Sequence, residues 1–194
     1  MHQAAGERND GREAGAPAGE NQNGVPAGGV RGAGGEPSGT VTISETDAYD
    51  ALVTIFIRNG LEFSAGEALP TDLVKCWEAA EPAAGTDLHA TGRRIGGCVL
   101  ALREGAFIID GIAVEPEYRA HKLGKRLLSL AVSEVKARGG KELFLVARAP
   151  EFFRKQGFVT VPRAGAPTFF ECFTCPQCNV SCFPEVMRLE LVEG

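Results

Sequence analysis

Apolar residues recur along this chain with two different periods, and the change from one period to the other marks out its elements. Ala48, Leu52, Ile55 and Phe56 stand at helical spacing and run up to Asn59-Gly60, a pair suited to ending a helix. The preceding Ser44-Glu45-Thr46-Asp47 reads as a capping box that opens it. Pro70-Thr71-Asp72 predicts a second short helix carrying Leu73, Val74, Cys76, Trp77 and Ala80, closed by Glu81-Pro82-Ala83-Ala84-Gly85. Strands are predicted over Asp87 to Thr91, Ile95 to Leu102 and Phe107 to Val114. Turns at Gly92-Arg93 and Glu104-Gly105 join them into an antiparallel meander.

Helical spacing returns with Leu123, Leu127, Leu128, Ala131, Val132 and Val135 and stops at Gly139-Gly140. Leu143 to Ala147 reads as a buried strand, and Pro150 to Gly157 as a short helix with proline in its first turn. Phe158 to Val161 and Val186 to Leu191 complete the strands. The elements describe an α/β (α+β) domain in which helices flank a mixed, largely antiparallel sheet.

Composition separates residues 1–40 from the rest. They hold 11 of the 25 glycines, with 7 alanines and 3 prolines, and too few large apolar side chains to offset the entropy of ordering. A disordered tail is expected there, followed by one domain over 41–194 with a cysteine-rich connection at 170–184. The net charge of -5 and pI of 5.3 exclude nonspecific nucleic-acid binding as a leading role. The longest mainly apolar run, Ala51 to Ile57, is too short to span a bilayer, and no signal-peptide pattern opens the chain. The expected location is the cytoplasm, without membrane or nucleic-acid partners.

Charge is distributed unevenly within the domain. Gly111 to Lys141 carries 7 basic and 3 acidic residues, a local +4 in a chain that is acidic overall. Within it a strand ending at Val114 passes through a basic turn directly into an amphipathic helix. The first amides of such a helix lack internal partners and suit an anion. Arg119, Lys122, Lys125 and Arg126 surround that point, so a polyanionic ligand is one reading and a solvated cationic face the other.

Tyr118-Arg119-x-x-x-x-Gly124 after Val114-x-Pro116 resembles the acetyl-CoA pyrophosphate loop of the GNAT superfamily of N-acetyltransferases, Gln/Arg-x-x-Gly-x-Gly/Ala. Arg119 and Gly124 fill its first and last positions, and Lys122 replaces the inner glycine. Leu143 through Phe158, with Phe152-Phe153-x-x-x-Gly157-Phe158, is similar to the strand, helix and turn that close the acetyl-CoA cleft. This segment, Gly96-Gly97-Cys98-Val99-Leu100 and Pro184-Glu185-Val186-Met187 are most similar to short N-acetylglutamate synthase-like members.

The resemblance implies an acyltransferase that moves acetyl from acetyl-CoA to a primary amine of a small molecule, with the amino group of glutamate as the first candidate. A protein or aminoglycoside amine is the alternative acceptor. From another class, an acyl-CoA-binding domain with a cysteine switch would sense metal or redox state without catalysis. The resemblance places the pantetheine arm along Ile112, Ala113 and Val114, and the pyrophosphate against Arg119, Lys122, Leu123, Gly124 and Lys125. It makes Asp110 the first candidate base, with Glu115, Glu117 and His121 nearby. Phe153 occupies the position where many members have a tyrosine that protonates the leaving thiolate. Arg58 and Arg94 are candidates for holding an acceptor carboxylate, and a homodimer is left open.

Cys172, Cys175, Cys178 and Cys182 follow the spacing C-x2-C-x2-C-x3-C. Four thiolates so placed suit a structural Zn²⁺. An iron-sulfur cluster, a redox-labile disulfide or free thiols are the competing readings. Cys76 and Cys98 lie in apolar segments and read as core.

Overall fold

Two helical faces and a sheet share the apolar positions of this domain. The computed structural model describes residues 40–63, 72–82, 92–165, 167 and 178–191. In chain order these form β1 (Thr42–Glu45), α1 (Tyr49–Arg58), β2 (Leu73–Ala80), β3 (Arg94–Arg103), β4 (Ala106–Val114), a 3-10 turn (Pro116–His121), α2 (Leu123–Ala137), β5 (Glu142–Ala147), α3 (Pro150–Arg154), β6 (Val159–Thr160) and β7 (Glu185–Glu190). The strands make one sheet of seven in the order β1-β2-β3-β4-β5-β7-β6. Among the described strands of this sheet only the β4–β5 pair is parallel, because α2 carries the chain back between those two strands. The mixed sheet flanked by helices is the class the sequence predicts.

Two cores lie on opposite faces. α1 packs Leu52, Val53, Ile55 and Phe56 against Cys76, Val99 and Ala113. α2 packs Leu123, Leu127, Leu128, Ala131 and Val135 against Trp77, Cys98, Leu100, Ile109 and Leu143. Each such buried large aliphatic side chain contributes roughly 1.5–3 kcal/mol of transfer free energy. The approach of α1 depends on Gly111, where a Cβ would come within 2.6 Å of the Phe56 ring.

The helix predicted after Pro70 is instead strand β2. Cys76 faces one core and Trp77 and Ala79 the other, and an apolar run buried on both faces has no period that separates strand from helix. Pairing with β3, from Lys75↔Leu100 to Ala79↔Gly96, decides it. The capping box is also displaced: Ser44 and Glu45 belong to β1, paired with Glu78 and Trp77. Thr46 Oγ1 accepts from the Ala48 amide at 3.2 Å, and α1 begins at Tyr49 with no side-chain cap. The strand predicted over Asp87 to Thr91 lies outside the described residues. The helix predicted over Pro150 to Gly157 stops at Arg154, where the chain turns toward Gly157 with its positive φ, and the other predicted elements stand within one or two residues of their observed bounds.

Candidate active site

Parallel pairing between β4 and β5 ends almost as soon as it begins, at Ile108↔Phe144 and Ile109↔Leu145. Beyond that point the strands diverge. The β5-facing backbone groups of β4 past Ile109 therefore have no strand partner there and are left for a ligand. A bulge against β3 increases the bend: Val99 pairs with Gly111 and Leu100 with Ile109, which leaves Asp110 as the extra residue. The resulting cleft has a volume of about 480 Å³.

Its floor and far end come from the β4–α2 connection. Ile112, Ala113 and Val114 line the cleft, followed by Arg119, Lys122, Gly124 and Lys125. Lys122 sits in the left-handed region with φ 57°, immediately before α2, and no side chain caps that helix. The unpartnered first amides of a 15-residue helix and two ammonium groups thus share one wall. Leu123 does not line the cleft; it is fully buried beneath the loop as an anchor of α2.

The opposite wall is aromatic. Phe152 and Phe153 of α3 line the cleft and meet edge to face at 4.9 Å, and Phe153 packs in turn on Phe158 at 5.7 Å. Phe153 is buried with the main core and carries no proton to give.

The candidate acids have different surroundings. Asp110 lines the cleft and its Oδ1 accepts from Arg103 Nη1 at 2.6 Å, while Arg103 Nε reaches Asp72. Burial lowers the Arg103 pKa, but Asp110 and Asp72 together outweigh it and hold the guanidinium above its ordinary value. Glu115 is not on the cleft wall; it forms an ion pair with Arg58 at 2.7 Å. Glu117 pairs with Arg93 at 2.8 Å; a backbone hydrogen bond, then Arg93, holds its carboxyl below the ordinary value. His121 stacks obliquely near Tyr118, away from the cleft.

The two arginines considered for an acceptor carboxylate are both occupied, Arg58 by Glu115 and Arg94 by Glu78. A different arginine takes the place. Arg148, just past β5, lines the cleft with its guanidinium over Gly60, where a Cβ would lie 2.9 Å from Nη1. Among the described residues it has no ion-pair partner. Arg148 stands inside the second motif, but nothing in its spacing distinguishes it from a surface arginine. Asn59 and Leu61, which also line the cleft, come from the end of α1. Only the folded chain brings them there.

Cys172 and Cys175 lie outside the described residues. Cys178 and Cys182 are half-buried thiols joined by a single β-bridge, and Arg163 Nη2 donates to Cys178 Sγ at 3.6 Å. Among the described residues no three His, Cys, Asp or Glu side chains come together as a metal site. No described helix is long and apolar enough to cross a membrane.

Comparison with known proteins converges on the same region. Residues 79–160 match the family model for an acetyltransferase (GNAT) domain, a span that contains β3 through β6 and the whole β4–α2 loop. The chain is similar to an acetyltransferase of the GNAT family from Staphylococcus aureus Mu50, at 16% identity and TM-score 0.57 over 79% of this chain and 100% of that one. It is similar to the ribosomal-protein-S18-alanine N-acetyltransferase from Escherichia coli, at 18% identity and TM-score 0.56 over 80% and 96%. It is also similar to N-acetylglutamate synthase from Neisseria gonorrhoeae, crystallised with coenzyme A and N-acetyl-glutamate. There the identity is 20% and the TM-score 0.60, over 79% of this chain and 36% of that one. No curated protein matches the sequence.

Proposed function

The chain carries an acetyltransferase domain of the GNAT family, and from that premise we propose that it transfers acetyl from acetyl-CoA to the amino group of a small amino acid, glutamate first among them. The observation that carries this reading is the splay of β4 from β5, which opens a cleft onto the uncapped start of α2.

In this reading the pyrophosphate lies against the first amides of α2 with Lys122 and Lys125 beside it, where the helix dipole and two cations favour an anion. The pantetheine arm follows Ile112 to Val114 and pairs with backbone groups that β5 leaves unpartnered. Phe152 and Phe153 cover its other side. The thioester then falls near the point of divergence, beside Asp110.

The neutral amine attacks the thioester carbonyl carbon. A C–N bond forms, the tetrahedral oxyanion collapses, the C–S bond breaks, and the thiolate of CoA leaves. Most of the rate gain comes from alignment of the two reactants and from backbone N–H donors aimed at the carbonyl oxygen. Asp110 receives the ammonium proton, directly or through one water. Phe153 gives no proton, so the thiolate is protonated from solvent.

Arg148 supports an acceptor that bears a carboxylate. It is the cation of the cleft on the side away from the pyrophosphate loop, and a guanidinium fork matches a carboxylate in two parallel hydrogen bonds. The test is release of free CoA thiol from acetyl-CoA with L-glutamate, an aminoglycoside and a peptide N-terminus as competing acceptors. Turnover with L-glutamate that falls at least tenfold in Arg148→Gln supports the reading. Turnover with the other amines alone, or no turnover in a protein that binds acetyl-CoA, overturns it.

A further inference from the structure

The end of α1 is linked to the β4–α2 loop by two polar contacts from consecutive residues. Arg58 pairs with Glu115 at 2.7 Å, and Asn59 Oδ1 accepts from Arg119 Nη2 at 3.0 Å. The orientation of the Asn59 carboxamide is determined by its surroundings. Its Nδ2 donates to the Ile55 carbonyl at 3.0 Å, a group that can only accept, so Oδ1 is the end that faces Arg119, a group that can only donate. Arg119 is held a second time, through Nε to the Val114 carbonyl at 3.0 Å. A guanidinium has five N–H donors, and these two bonds fix its plane while leaving donors for the cleft that Arg119 lines. Asn59 lines the same cleft from the other side, next to the Gly60 backbone on which Arg148 rests.

We propose that Asn59 is a positioning residue: it holds the Arg119 guanidinium in the orientation that receives the pyrophosphate of acetyl-CoA, and thereby ties the acetyl-CoA loop to the α1 wall facing the acceptor. The inference rests on the acetyl-CoA reading above. Arg119 alone has many rotamers, and fixing its plane in advance removes an ordering cost that acetyl-CoA would otherwise bear. The anchor comes from α1, so a ligand on Arg119 also steadies the last turn of that helix.

A double-mutant cycle read by calorimetric titration with acetyl-CoA tests it. Asn59→Ala raises the Kd for acetyl-CoA about three- to tenfold in the wild-type background. In Arg119→Met, which has no N–H to give Val114 or Asn59, the same change leaves Kd within about 1.5-fold. A purely structural role for Asn59 predicts equal weakening in both backgrounds; that result, or wild-type affinity in Asn59→Ala, overturns the proposal. A second measurement needs no Asn59 variant. Acetyl-CoA slows amide hydrogen exchange at residues 58–61 in the wild type and does not in Arg119→Met, and equal protection in both would also overturn it. A wild-type protein that gives no binding heat with acetyl-CoA removes the functional reading itself, and this inference with it.

Discussion

Gly124 separates the stability of α2 from the ligand chemistry of the cleft. It is the second residue of the helix, its φ is outside the left-handed region, and a Cβ built on it meets Phe152 Cζ at 3.4 Å and Val114 Cγ2 at 4.0 Å. Those are ordinary contacts, so the unliganded fold has room for a side chain at this position. Replacing a helical glycine with alanine gains about 0.5–1 kcal/mol. In a domain of this size each kcal/mol corresponds to a Tm shift of roughly 2–4 °C. Gly124→Ala is therefore expected to raise Tm by about 1–4 °C. Gly124→Val gains less, because valine is a poorer helix former than alanine by several tenths of a kcal/mol. The new side chain enters the gap between the loop and Phe152, where the proposed pyrophosphate approaches the first amides of α2. Gly124→Val should weaken acetyl-CoA at least about tenfold, equivalent to 1.4 kcal/mol, with Gly124→Ala intermediate. Thermal melts paired with calorimetric titration measure both effects on the same samples. A folded Gly124→Val protein with wild-type affinity would refute the placement of the pyrophosphate. A Gly124→Ala protein that melts well below wild type would contradict the packing at the start of α2.

Lys122 holds a left-handed φ of 57°, which costs a non-glycine residue roughly 1–2 kcal/mol. Lys122→Gly should raise Tm by a few degrees and weaken acetyl-CoA, and unchanged or tighter acetyl-CoA binding would show that the lysine has no role at the ligand. Burial pushes the Cys76 thiol up to about 11 from 9.0. The unfolded thiol loses its proton near the lower value while the folded one keeps it, so stability is full below about pH 9 and falls as pH rises to about 11. Urea unfolding across that range should show a steeper loss in wild type than in Cys76→Ala, and parallel curves would reject the assignment. Cys76 and Cys98 are buried while Cys178 and Cys182 are half-exposed, so a water-soluble thiol reagent should label only the latter pair, of these four, before unfolding. Removing residues 1–40, whose composition cannot support a core, should leave Tm and acetyl-CoA affinity unchanged; a drop of several degrees would show that the segment packs on the domain.

Much of this molecule is legible in its residue order, for reasons that are local. α2 is amphipathic over four turns and is bounded by glycines that only its end requires. α3 opens on proline, and the β3–β4 hairpin turns on Glu104-Gly105, both with positive φ. In each case a few neighbouring residues determine the backbone, and no distant partner has to be known. The basic turn proposed to receive the pyrophosphate is readable on the same ground, since a strand, a basic turn and a helix start are contiguous. β2 was not, because strand and helix bury Leu73 to Ala80 equally well until β3 supplies its hydrogen bonds. The bulge that offers Asp110, the early divergence of β4 from β5, and the diversion of Arg58 and Arg94 into ion pairs all depend on residues distant in sequence. Arg148 and Asn59 enter the cleft only when β5 and α1 converge on the loop. The sequence by itself determined the elements whose ends are signalled locally and the basic character of one loop. The tertiary structure alone decided which cations stay uncommitted, because pairing depends on distance through space and not along the chain.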